Sequence, residues 1–193
     1  MKRSTILIAI LILAACSGGR SDPPRNLDNA CSILKEKKRW SRDLKNVERK
    51  YGVPGEVILA TIYYESRFVA NAKTPQKFAL GVIPMGRRSS AYGYAQALDG
   101  TWDWYKRATG ATRAKRNRFH DAVDFMGWYM STSNKKNGIA KTDAYNQYLA
   151  YHQGHTGYAR GSYRTKKWLL NVASKVRSRA ATYGAQLATC RKW

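Results

Sequence analysis

The C-terminal stretch constrains the fold more than any other part of the chain. Leu169, Val172, Val176, Ala180, Tyr183, Leu187 and Cys190 recur at steps of three or four, which puts them on one stripe of a long helix. A stripe of that length needs other helices to cover it, and alternating strand patterns are scarce elsewhere. The expected fold is mainly α, and Cys190 points into its core. At 193 residues the chain suits one domain.

The N-terminal end determines what Cys190 can pair with. MKRSTILIAILILAAC has a short basic start (Lys2, Arg3), an apolar run from Ile6 to Ala15 and small residues at its close. The run is too short for a permanent membrane span. Its ending, Leu13-Ala14-Ala15-Cys16, is similar to a bacterial lipobox, in which Cys16 carries lipid and begins the mature chain. Ser17 after it is compatible with outer-membrane sorting. Residues 1–15 therefore read as a lipoprotein signal peptide, and residues 16–27, with Gly-Gly and Pro-Pro and little to bury, as a flexible tether. Removing Cys16 from the cysteine count leaves Cys31 and Cys190, an even pair in an oxidising compartment, so a disulfide is expected between them. It would close a loop of roughly 160 residues, which the chain-entropy model values at about 4 to 5 kcal/mol.

Residues 28–193 form the expected domain. Asp28 is a candidate cap for a helix running to about Trp40, and Ser41 for another carrying Leu44, Val47 and Tyr51. Gly52 ends that helix, and Pro54 suits the first turn of the next. Thr101 is a candidate cap for a segment containing Trp102, Trp104 and Tyr105. Phe119, Ala122, Val123, Met126 and Met130 mark a further helix, and residues 143 to 153 another. The irregular stretch between Lys73 and Tyr94 has room for a short β-hairpin.

One acidic residue stands out in this basic chain. In IYYESRF, residues 62–68, Glu65 follows Ile58, Thr61 and Ile62 at helical spacing and so faces the interior. Lost hydration raises the pKa of a carboxyl in apolar surroundings, and the C-terminal end of a helix disfavours negative charge as well. A glutamic acid that keeps its proton near neutral pH can act as a general acid. The alternative is a structural ion pair with Arg67, Arg87 or Arg88.

The surrounding residues resemble the lytic transglycosylases, relatives of goose-type lysozyme. Glu65-Ser66-Arg67-Phe68 follows YGVPGEVILATIYY as the family's glutamate, serine and phenylalanine do. SSAYGYAQ, residues 89–96, is similar to the family motif S-G-A-x-G-L-M-Q: Ser89, Ala91, Gly93 and Gln96 match, and Ser90, Tyr94 and Ala95 depart from it. For the third motif, A-Y-N-A-G, the letters AYN occur at 144–146 without the required glycine. AYHQG keeps Ala150, Tyr151 and Gly154 in register and puts His152 where asparagine is usual, and it is the preferred match. The resemblance covers roughly residues 50 to 160, with about 20 residues inserted between the first two motifs. It implies a lysozyme-like helical domain with Glu65 as catalytic acid and base. It also implies substrate contacts from Ser66, Ser89, Gly93, Tyr94, Gln96, Tyr151, His152 and Gln153, with Tyr151 hydrogen-bonded near Glu65. No cofactor is implied.

The chemistry expected from the family is cleavage of the bond between N-acetylmuramic acid and N-acetylglucosamine, leaving a 1,6-anhydro end. Most glycosidases need two carboxylates. This chain has four glutamates, Glu36, Glu48, Glu56 and Glu65, and Asp99 is the sole acid beside the later motifs. A transglycosylase does without the second carboxylate. The alternatives are lysozyme-like hydrolysis and a catalytically weak peptidoglycan-binding lipoprotein.

Tyr63, Tyr64, Tyr92, Tyr94, Trp102, Trp104 and Tyr158 are candidates for stacking on sugars, with core packing as the other reading. His152 and His155 lack cysteine or carboxylate neighbours in sequence, which argues against a metal. A formal charge of +23, from 35 basic and 12 acidic residues, would ordinarily suggest nucleic acid. The export signal redirects that charge to anionic glycan strands and membrane surfaces. The expected location is the periplasm, lipid-anchored to the outer membrane, with a secretion or cell-wall assembly complex as a conceivable partner.

Overall fold

A computed structural model describes residues 22–80, 82–191 and 193. Its elements run α1 (Ala30–Glu36), α2 (Lys38–Tyr51), α3 (Gly55–Ser66), β1 (Gln76–Ala79), β2 (Ile83–Arg87), α4 (Asp99–Thr109), α5 (Phe119–Asn137), α6 (Ala144–Ala159) and α7 (Lys167–Ala188). The expected signal peptide, Cys16 and the start of the tether lie outside the described residues.

The chain is mainly helical, as the periodicity predicts. α3 is central: Val57, Ile58, Leu59, Ala60, Thr61, Ile62 and Tyr63 are all buried, so the helix is covered on every side. Its most extensive neighbour is α7, whose Leu169, Val176, Ala180, Tyr183 and Leu187 are buried as expected, with Ala173 taking the buried place expected for Val172, which is half-buried. α7 also packs on α6, α6 on α5, and α5 on α2. Gly127 makes the last crossing close, because a Cβ there would come 2.3 Å from Val47 Cγ1.

The Cys31–Cys190 disulfide is present, with a Cα–Cα distance of 5.6 Å. The chain before it is held as well. Pro24 is buried, the Leu27 carbonyl accepts from the Tyr183 hydroxyl, and Arg179 Nη1 meets Asp28 Oδ1 at 2.8 Å. The expectation of a free tether through residue 27 is thereby corrected: from Pro24 onward the chain lies on the domain.

Helix boundaries differ locally from those expected. Asn29 rather than Asp28 caps α1, accepting from the Ser32 amide at 2.8 Å. α1 stops at Glu36, and α2 begins at Lys38 with Ser41 inside it, so Ser41 is not a cap. Pro54 is extended and stands at the N-cap, one residue before the first turn of α3. α4 begins at Asp99, two residues before the expected cap Thr101. These are short-range competitions between neighbouring polar residues, which periodicity does not resolve.

The hairpin forms where irregular sequence left room for it. β1 and β2 pair antiparallel, with Gln76 opposite Arg87 and Ala79 opposite Ile83. Isolated bridges join Lys73 to Tyr92 and Tyr92 to Ala97, so the arm's base runs into the residues of the second motif.

Candidate active site

Glu65 is the next-to-last residue of α3, where the helix's own dipole opposes a negative charge. The chain then reverses through two successive non-glycine residues with positive φ, Arg67 at 51° and Phe68 at 62°. Such backbone persists only where its surroundings over-determine it. Here they do. Phe68 is fully buried and its ring packs on Trp40 of α2, which stacks 3.7 Å from Phe119 of α5. The Ser66 hydroxyl donates to the Tyr94 carbonyl at 2.8 Å, tying the end of α3 to the second motif. The Tyr94 ring meets the same Trp40 and Phe119 edge-on.

These contacts give Ser66, Tyr94 and Gly93 places different from those the resemblance implies. Tyr94 is 2% exposed and its ring belongs to the core. Ser66 is buried and clamps two backbone segments. Gly93 has φ 79°, and a Cβ on it would lie 2.2 Å from the Arg116 carbonyl oxygen. It admits the loop before α5 and contributes no surface to the cleft. None of the three lines the groove beside Glu65.

That groove is a cleft of about 480 Å³ lined by Glu65, Ser89, Gln96, Tyr151, His152 and Gln153 together with Thr74, Leu98, Thr101, Phe125, Tyr129 and Gly154. Gln96 Nε2 donates to the Ala72 and Gly93 carbonyls at 3.0 and 2.8 Å. With its amide hydrogens used on backbone, Gln96 offers the cleft an acceptor, Oε1, rather than both functions of the amide. Ser89 is held through its backbone, its carbonyl accepting from Thr74 Oγ1 at 2.9 Å. The aromatic walls are Phe125, Tyr129 and Tyr151. None of the seven aromatics expected as sugar stackers lines the cleft; Tyr63, Tyr94 and Trp102 are core residues, and Tyr158 stacks on Tyr163.

α6 delivers the third motif. Asp143 caps the helix by accepting from the Asn146 amide. Gly154, at φ 73° and ψ 159°, breaks its regularity between the cleft residues and His155. The Tyr151 hydroxyl donates to the Ala95 carbonyl, and so joins the third motif to the second. The hydrogen bond to Glu65 comes from a different tyrosine, Tyr148, one turn earlier on α6. Sequence reasoning set aside the AYNQY segment that contains it. The usable signal was that Tyr148 and Tyr151 are three residues apart and therefore share a helix face.

Burial pushes the Glu65 carboxyl up to about 7, against a smaller lowering by the Tyr148 hydrogen bond. The expected alternative, an arginine pair, is absent among the described residues. Arg67 lies over the Tyr63 ring at 4.0 Å, and Arg87 Nη1 donates to the Thr74 carbonyl. Asp99, the other acid near the motifs, is paired with Arg116 at 2.7 Å and does not line the cleft. His155 is buried, stacked on Tyr129 and bonded to Ser133 Oγ at 3.0 Å.

A half-protonated carboxyl, set in a groove walled by aromatics and amides, is suited to protonating a glycosidic oxygen. Comparison with known families agrees: residues 4–190 match the family described as transglycosylase SLT domain. The chain belongs to this family. At that level the SLT domain is a glycan-cleaving transglycosylase acting on peptidoglycan. A search of the curated proteins finds no match. Within the SLT domain the site is built from the end of α3, the segment between β2 and α4, and the cleft face of α6, joined by the Ser66–Tyr94 and Tyr151–Ala95 hydrogen bonds.

Proposed function

We propose that this SLT domain is a lytic transglycosylase that cuts the β-1,4 bond between N-acetylmuramic acid and N-acetylglucosamine, with Glu65 as both acid and base. The observation that carries this reading is a single one. Glu65 opens onto the cleft with a pKa near 7, and it is the one acid among the described lining residues.

The mechanism follows from that position. Protonated Glu65 donates to the glycosidic oxygen as its bond to C1 of the muramic acid breaks. Charge left on C1 is met by the oxygen of the substrate's own acetamido group, which does the work of a second carboxylate. The Glu65 carboxylate then takes the proton of the muramic acid 6-hydroxyl while O6 bonds to C1. The product is a 1,6-anhydro end, and Glu65 has regained its proton. Tyr148, donating to Glu65, steadies the carboxylate between the two transfers.

The lipobox-like ending at Cys16 supports a periplasmic enzyme anchored in the outer membrane, and the net charge of +23 supports adhesion to an anionic wall. A secretion or cell-wall assembly complex is a fitting partner for such an enzyme.

Digestion of purified sacculi, with mass spectrometry of the fragments, tests the reading. Wild type should release anhydro-ended fragments and Glu65→Gln none. Reducing ends would assign hydrolysis instead, and an absence of soluble fragments from wild type would leave a binding module.

A further inference from the structure

His152 and Gln153 line the cleft on α6 and are tied to the segment that leads into α7. Gln153 Oε1 accepts from Lys166 Nζ at 2.6 Å and from Ser162 Oγ at 2.8 Å. A lysine ammonium only donates, so the amide atom it meets is the oxygen. The amide nitrogen is then the atom 2.8 Å from His152 Nδ1. That NH2 also only donates, so Nδ1 has no proton. Partial desolvation and the Lys166 charge both hold the ring's pKa below the ordinary histidine value, which favours the uncharged ring. Its one proton sits on Nε2, which has no partner among the described residues.

Trp168, in the first turn of α7, stands edge-to-face against this ring with centroids 5.0 Å apart and planes at 76°. It is 55% exposed, unusually open for an indole. The cleft rim therefore combines an oriented N–H donor with a flat apolar surface. Gln96 supplies the acceptor elsewhere in the same groove. A 2-acetamido pyranose has the complementary features, a carbonyl acceptor on C2 and an apolar C–H face.

We propose that His152 and Trp168 form a sugar subsite at the α7 rim, where His152 Nε2–H donates to an acetamido carbonyl and the Trp168 indole carries the pyranose face. Gln153 and Lys166 are positioning residues that act through the histidine tautomer. The proposal rests on reading the cleft as a glycan groove.

The test uses Glu65→Gln protein, to remove the proposed catalytic acid from the binding measurement, with N-acetylglucosamine hexamer as probe and the glucose hexamer, which lacks acetamido groups, as control. Nitrogen NMR of the imidazole should find His152 as the Nε2–H tautomer at pH 7, and Lys166→Met should weaken that preference. The acetamido hexamer should shift His152 Nε2, and the glucose hexamer should not. His152→Ala and Trp168→Ala should each weaken acetamido-hexamer binding about fivefold to tenfold, the size of one neutral hydrogen bond, with partial recovery in His152→Asn. An Nδ1–H tautomer, equal binding of the two hexamers, or unchanged binding by the alanine variants would overturn the subsite. Those results leave the catalytic reading standing if sacculus digestion still depends on Glu65. Digestion by Glu65→Gln protein would remove the catalytic reading while the binding result is scored separately.

Discussion

At the scale of single residues, the Glu65 carboxyl sets the pH behaviour of both activity and stability. In the proposed mechanism its acid form starts cleavage, so kcat/KM should fall as pH rises through about 7. The Tyr148 hydrogen bond lowers this pKa, so Tyr148→Phe should move the falling limb to higher pH, measured as a pH–rate profile on sacculi. Stability follows the same proton. Folded Glu65 keeps it to about 7 and the unfolded chain loses it near 4.5, so the folded state binds more protons between those values and its stability declines as pH rises across them. Glu65→Gln removes that decline, and urea melts at pH 8 should find the variant more stable by on the order of 2 kcal/mol, with a smaller gap at pH 5. The glutamate was legible in sequence because an acid on an isoleucine stripe is a local contradiction. Tyr148 was not, because its partner lies 83 positions away, on α3, and nothing near Tyr148 in sequence marks the pairing.

At the scale of elements, helical periodicity located each helix among the described residues and misplaced several of their ends. Burial along α3 and α7 is written into the spacing of apolar residues, whereas the choice of Asn29 over Asp28 as a cap turns on one local hydrogen bond. The second motif was found by its letters, but its glycine and tyrosine work in packing: Gly93 admits the Arg116 carbonyl and Tyr94 meets Trp40. Family letters mark a motif without saying which of its atoms face the substrate. α6 shows a similar division of labour. Gly154 has a φ and ψ that side-chain-bearing residues strongly avoid, although a Cβ there would meet open space. Gly154→Ala should therefore cost about 1 to 3 kcal/mol through backbone strain rather than collision. Urea melts measure that cost, and sacculus digestion should fall as well because the kink follows directly on His152 and Gln153.

At the scale of the whole molecule, the disulfide closes nearly the entire domain into one loop, its cysteines separated by 159 positions in sequence. The chain-entropy model puts its loss at about 4 to 5 kcal/mol, so reduction, or Cys190→Ser, should lower the melting temperature clearly in a calorimetric scan. This pairing was legible from the cysteine count and the expected compartment, without any knowledge of the intervening fold. The hairpin was legible only as room for one between Lys73 and Tyr94, since Leu80, Val82 and Met85 project from it at 91, 76 and 63% exposure and leave no burial pattern to fix its strands.

The same covalent closure gives the domain a mechanical character. A pull applied between residue 22 and Trp193 runs along the segment before α1 into Cys31, crosses to Cys190 and leaves through Trp193. Residues 32–189, with the cleft among them, carry none of that tension. The oxidised domain behaves as a knot on a cord, and only the reduced one could be drawn out, lengthening the chain by roughly 500 Å.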